Sequence, residues 1–183
     1  QNMIMNRKLL LLPIIYLLSN WCNLVDAETR NRGGDSRKFQ LCPVVKVSSS
    51  KNPTMDAGRL NINLLMDGKL PKDGWRSTWT AWCKVDPVVT FDLGDYKKIG
   101  IIRIYFQVTD RPDELSEVKV EVSRDGEQFL DFNEYVGFVT EKGKGAWAEI
   151  DLRAVNARYF RISPKFQGWG HLWGEVEFWE IAN

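Results

Sequence analysis

The chain has 183 residues, 44% of them hydrophobic and 27% charged, with 25 basic against 24 acidic side chains. That is room for one globular domain with a sizeable core, and a net charge of +1 leaves no electrostatic footprint for nucleic acid. A single histidine, His171, excludes a His-rich metal site and makes any nucleophile–histidine pair depend on that one residue.

Residues 1–27 read as a secretory leader. Arg7 and Lys8 follow Met5, an apolar run covers Leu9 to Leu18, and Val25-Asp26-Ala27 offers short side chains where a signal peptidase cleaves. The run is too short to span a bilayer comfortably; an uncleaved membrane anchor is the alternative. Export places the mature protein in a secreted, periplasmic or extracellular setting and changes the cysteine reading. Cys22 leaves with the leader, so Cys42 and Cys83 remain as an even pair in an oxidising compartment. They are expected to form a disulfide that closes a loop of about 40 residues, worth roughly 4 kcal/mol. The alternative is two separate buried thiols, and two cysteines cannot fill a zinc site. Residues 28–38, "ETRNRGGDSRK", are polar, charged and glycine-bearing, and read as a flexible linker.

From residue 39 to 183 the pattern is that of one all-β domain. "CPVVKVSSS" is a short strand and a polar turn, and "RLNINLLMDG" holds the best chance of a helical turn. "PVVTFDLGD" alternates, with Val89, Phe91 and Leu93 on one face and a stop at Gly94-Asp95. "IGIIRIYFQV" is a β-branched and aromatic run. "EVKVEVSRDGEQF" turns Val118, Val120 and Val122 to one side and Lys119 and Glu121 to the other, ending in a tight Asp-Gly turn. "AWAEIDL", "ARYFRISP" and "EVEFWEI" repeat the theme. Strands at intervals of roughly ten residues, with turn signals between them, predict an antiparallel sandwich or barrel.

Five segments in order, "NLLMDG…GWRSTW", "VTFDLGDYKKIGIIRIYF", "VEVSRDGEQF", "ARYFRISP" and "WGEVEFWE", resemble the factor V/VIII type C, or discoidin, domain family. Within it they look most like the bacterial branch that includes the family-32 carbohydrate-binding modules. The resemblance covers about residues 42–181 and implies an eight-stranded antiparallel jelly-roll β-sandwich of the galactose-binding-domain type. Many members hold one structural calcium, which takes six to eight oxygens of mixed kinds. The family pattern carries over to Asp67 of the "DG" turn, the hydroxyl of Ser77, the carboxylate of Glu175, and the backbone carbonyls of Lys69 and Gly174. The insertion "KLPKDG" departs from that pattern and brings Asp73 forward as an alternative to Ser77.

Eight tryptophans are the other signal, three of them in "DGWRSTWTAWCKVDP". A sugar site needs a flat apolar face for the C–H side of a pyranose and a few planar polar groups for its hydroxyls. In the resembling sugar binders the site lies on three loops at one end of the jelly roll. Here those loops carry Arg76, Trp79 and Trp82, then Asp110 and Arg111, then Gln167, Trp169, His171 and Trp173. Trp82 and Trp169 are the expected ring platforms, while Trp147, Trp173 and Trp179 lie in or beside strands and are expected to be buried. No Walker, dinucleotide, HExxH or G-x-S-x-G pattern is present, so the reading is a secreted, lectin-like, non-catalytic module that binds glycans or glycoconjugates as a monomer. The alternative is a cell-surface adhesion or phospholipid-binding module, for which Lys72, Arg76 and Lys84 make only a modest basic cluster.

Overall fold

The computed structural model describes residues 37–54, 61–72, 78–107, 115–136, 144–166 and 170–182. The leader read at residues 1–27 lies outside them, as does the linker as far as residue 36. Among the described residues eight antiparallel strands follow one another: β1 (Phe39–Cys42), β2 (Lys46–Ser49), β3 (Thr80–Cys83), β4 (Val89–Gln107), β5 (Leu115–Ser123), β6 (Leu130–Val136), β7 (Gly145–Phe166) and β8 (Gly170–Ile181), with one 3-10 turn at Ile62–Met66. Val89, Phe91, Leu93, Val118 and Val120 are buried, as the alternation predicts. The sequence reading differs in three places. Pro43, which has no N–H to offer a ladder, separates β1 from β2, where one strand was expected. The two runs around Gly94 form a single β4, and "AWAEIDL" with "ARYFRISP" forms a single β7.

β4 and β7 are long because each belongs to both layers of the sandwich. The first arm of β4, residues 89–92, pairs with β2 on one side and with residues 159–162 of β7 on the other. β5 and then β6 complete that layer. The second arm, residues 97–107, pairs with residues 145–157 of β7 and with β8. The far edge of β8 is shared by β1 at its end and β3 at its start. The layers meet at Phe178 of β8, which packs against Phe91 and Phe160 of the opposite sheet with ring centroids 5.2 Å apart in both cases.

The corner between the layers is built from short acidic side chains that bind the backbone two residues on, a local turn device. The Gly94 N–H donates to Asp92 Oδ1 at 2.7 Å and the Arg153 N–H to Asp151 Oδ1 at 2.7 Å. Gly94 and Arg153 then take positive φ values of 77° and 62°. Asp92 also receives Arg158 in a two-point contact, Nε to Oδ1 at 2.7 Å and Nη2 to Oδ2 at 2.9 Å, the geometry that best suits guanidinium to carboxylate. That contact, then the Gly94 amide, hold the Asp92 carboxyl below its ordinary value of 3.8.

The expected disulfide is not part of this fold. Cys42 stands level with Phe178 and Cys83 level with Gly170, eight residues apart along the same edge of β8. That separation is about 26 Å, and a bridge needs Cα atoms within about 7 Å. Cys42 is a buried thiol whose Sγ points to the Pro43 carbonyl at 3.7 Å, and burial raises its pKa to about 11. Nearness in sequence and an even cysteine count carry no information about strand placement, which is what separates the pair.

Folding lowers the Asp92 pKa, so the stability that this group supplies is present above its unfolded value and is lost as the pH falls through the lower folded one. Asp92→Asn is expected to lower Tm at neutral pH and to remove part of the acid-induced fall in Tm below about pH 4. A series of thermal melts by circular dichroism on both proteins checks this, and parallel Tm–pH curves would contradict it.

Candidate functional site

The strand ends define one end of the sandwich. β4 stops at Gln107, paired with Leu172 and Gly145, and β3 stops at Cys83, paired with Gly170. Leu115 at the start of β5 pairs with Phe166 at the end of β7. Only residues 167–169 join Phe166 to Gly170, a link that spans at most about 14 Å. The anchors of segments 108–114, 137–143 and 167–169 therefore lie together, and the corners at residues 93–97 and 152–157 lie at the other end.

Of the residues proposed to bind a ligand, Arg76, Asp110, Arg111 and Trp169 lie outside the described residues, as does Gln167. His171 is placed by its backbone in β8, paired with Trp82, and its side chain lies outside what is described. Trp79 and Trp82 are described, and both correct the sequence reading: each is 0% exposed. Trp82 points into the main core, where it meets Trp173 edge-on at 5.7 Å and donates its Nε1–H to the Lys51 carbonyl at 2.9 Å. Trp79 lies on the opposite face of the sheet, stacked on Tyr105 at 5.5 Å with 8° between the planes, in a small cluster with Ala81 and Leu172. Neither ring is available as a platform.

The residues grouped by their match to the family calcium pattern do come together in part. The 3-10 turn ends at Asp67, and Gly68 follows with φ 71°. Asp67 Oδ1 accepts the Lys69 N–H at 2.9 Å, and Glu175 Oε2 reaches across from β8 to accept the Gly68 N–H at 3.1 Å. Gly174 lets the chain approach closely, since a Cβ there would lie 2.5 Å from the Pro71 ring. Ser77 and its alternative, Asp73, lie outside the described residues. Glu175 is 5% exposed. Burial pushes its carboxyl up to about 8 and the nearby Asp67 and Glu177 push the same way, against the Gly68 and Lys69 amides. Among the described residues no three acidic, histidine or cysteine side chains gather as a metal-binding group.

Sequence reading missed an arrangement on the outer face of the second layer. Arg103 lies over the Trp147 ring at 4.3 Å and pairs with Glu177 at 3.2 Å, and Trp147 tilts against Tyr105 at 5.2 Å. The available signal is the alternation Arg103, Tyr105, Gln107 within the β-branched and aromatic run "IGIIRIYFQV".

The model of the F5/8 type C domain family matches residues 45–178. No curated protein matches the sequence. Among solved structures, a truncated AlyQ with CBM32 and alginate lyase domains aligns with TM-score 0.57 and 20% identity over 80% of this chain and 34% of that one, so this chain spans about a third of that protein. A Streptococcus pneumoniae fucose-binding module, SpX-3, aligns with TM-score 0.58 and 17% identity over 78% of this chain and 99% of that one. The lectin domain of lectinolysin, complexed with Lewis B antigen, aligns with TM-score 0.56 and 22% identity over 75% and 93%. At these identities the likeness is one of fold.

Trp82→Ala is expected to lower the free energy of unfolding by about 3–5 kcal/mol, the cost of emptying a large core site. Trp82→Phe, which keeps a ring but leaves the Lys51 carbonyl without its donor, should cost about 1–3 kcal/mol. Urea denaturation measures both, and wild-type stability in either variant would show that the ring is not packed as described.

Proposed function

We propose that this chain, which belongs to the F5/8 type C domain family, is an exported, non-catalytic, lectin-like module that binds carbohydrate at the loop end of the sandwich. The observation that carries the reading is the convergence of strand ends there, which brings together the anchors of the segments holding Asp110 and Arg111 and holding Gln167 and Trp169. A flat ring beside an acid, a guanidinium and an amide is the chemistry by which proteins hold a pyranose. Solved neighbours named for fucose binding and for a Lewis B complex support the same ligand class. Trp79 and Trp82 drop out of the site, so Trp169 becomes its ring, with Arg76 and His171 as further polar partners. Export, to a secreted or periplasmic setting, rests on the leader read at residues 1–27.

One stacked ring and a few hydroxyl contacts, offset by the cost of immobilising the ligand, place affinity at roughly the millimolar to micromolar level, about −4 to −8 kcal/mol. Calorimetric titration with a panel of mono- and oligosaccharides tests the reading. Trp169→Ala is expected to weaken binding by about tenfold or more, the weight of one stacked aromatic contact. If no sugar binds and anionic liposomes do, the phospholipid alternative replaces it, and consumption of a sugar would make the protein an enzyme.

One structural calcium completes the proposal. The chemistry of the donor set supports it: a nearly buried carboxylate at Glu175 close to Asp67 calls for a cation, and the Lys69 and Gly174 carbonyls with the Ser77 hydroxyl would complete a mixed oxygen shell. The ion would supply positive charge at this junction and no chemistry. A ligand of the native state alone raises Tm with its saturation. A chelator should therefore lower Tm in the wild type and leave Asp67→Ala unmoved; equal melts with and without chelator would remove calcium from the reading.

A further inference from the structure

The two outer faces of the sandwich differ. In the first layer, Arg161 stands between Thr90 and Glu121, Ser163 beside Lys119, and Lys165 bonds Glu117, a ladder of charges of the kind a sheet shows to water. The second layer presents three rows across β8, β4 and β7 instead. The strand register sets Trp179 against Ile101, Glu177 against Arg103 and Glu149, and Glu175 against Tyr105 and Trp147. Successive rows are about 7 Å apart. The outcome is a charged row between two rows that carry rings.

The charged row is unusually dry for a solvent face. Arg103, Glu149 and Glu177 have side chains only 14%, 18% and 20% exposed, and the guanidinium lies 3.2 Å from Glu177 and 4.0 Å from Glu149. Trp179 donates its Nε1–H to Glu177 Oε2 at 3.0 Å, so its indole lies along the strand, not upright from it. Leu41 of β1, 43% exposed, continues the apolar row beyond Trp179. Trp147 and Trp179 are both half-buried.

We propose that this sheet face is a second carbohydrate site, which takes a neutral oligosaccharide laid across β8, β4 and β7. Half-buried Trp179 with Leu41 beside it offers apolar surface to the C–H faces of sugar rings, and the neighbouring row offers carboxylate acceptors and guanidinium donors to the hydroxyls. Ion pairing already fixes those groups, so little side-chain freedom is lost on binding. Charge selects the class of chain. Among the described residues of this face, Glu149, Glu177 and, one row on, Asp151 outnumber Arg103 and the Arg37 that reaches Asp151 at 3.8 Å, a balance that disfavours an acidic glycan. The proposal takes its ligand class from the reading above and none of its sugar-binding residues, and the two fail separately.

The test follows the indole N–H signals of the full chain by nuclear magnetic resonance, with that of Trp179 assigned from Trp179→Phe. Cellohexaose, mannohexaose, xylohexaose and β-1,4-galactohexaose are titrated in turn, with hexagalacturonate as the acidic probe, into wild type and Trp169→Ala. At least one neutral hexasaccharide should move the Trp179 signal saturably in both proteins, hexagalacturonate should not, and Glu177→Gln should weaken the response by about tenfold, as loss of a charge-assisted contact does. No movement with any neutral hexasaccharide overturns the inference, and movement that vanishes in Trp169→Ala does so too. A Trp179 signal that shifts with protein concentration alone assigns the face to a second copy of the chain and overturns it as well. A loop-end response without a sheet-face response leaves the earlier reading standing.

Discussion

The Asp92 carboxylate is shared by the Gly94 amide and the Arg158 guanidinium, and through it the bend in β4 is tied to the bend in β7. Along this stretch residues 93–96 of β4 pass against Arg158 alone on β7, so the ladder breaks and the strands cross from one layer to the other. Gly94 is required there twice over. Its φ of 77° suits a residue without Cβ, and a Cβ would lie 2.6 Å from Val45. Once the corner is made, the first arm of β4 brings β2 and β7 into one sheet and the second arm brings β8 into the other. Phe91, Phe160 and Phe178 can then meet between them.

Elsewhere the same turn chemistry recurs with the same logic. In the β5–β6 hairpin, Asp125 Oδ1 accepts the Glu127 and Gln128 amides, and Ser123 Oγ donates to Asp125 while accepting the Gly126 N–H. These bonds draw the Asp125 carboxyl below its ordinary value. Each such turn satisfies backbone donors that the ladders leave over: at the corner they bend β4 and β7, and in the hairpin they follow the end of β5 at Ser123. All of these turns lie at the corner end of the sandwich, since Ser123 of the hairpin pairs with Tyr159 next to the crossing, so backbone satisfaction there fixes the end opposite the loop end.

The strands were legible because each has one face in the core and one in water, or nearly so: Val118 and Val120 inward, Lys119 and Glu121 outward. β3 was not legible for the opposite reason. Thr80 and Trp82 turn toward the main core while Trp79 and Ala81 turn into the second cluster, and all four are buried. A strand covered on both faces has no alternation to read, and a stretch of rings without alternation looks like a loop. Whether β3 is covered depends on its pairing with β8, some ninety residues away in the chain, which no local pattern records. The calcium-like grouping of Asp67 and Glu175 was legible only through family resemblance, because the contact joins a turn to a strand 107 residues later. The sheet-face rows escaped because Arg103, Glu149 and Glu177 are ordinary outward charges until the register sets them side by side.

β1 closes the second layer by pairing with the last residues of β8, and the Ala182 N–H donates to the Lys38 carbonyl at 2.9 Å. The two ends of the domain thus leave from one spot, next to the corner. The 12 residues of β8 put about 35 Å between that spot and the loop end. A body held by either end therefore carries the anchors of segments 108–114, 137–143 and 167–169 on its far side. The adjacency also means that a short peptide could join residue 38 to residue 182, and the chain could be reopened at the β5–β6 hairpin, without parting any strand from its neighbour.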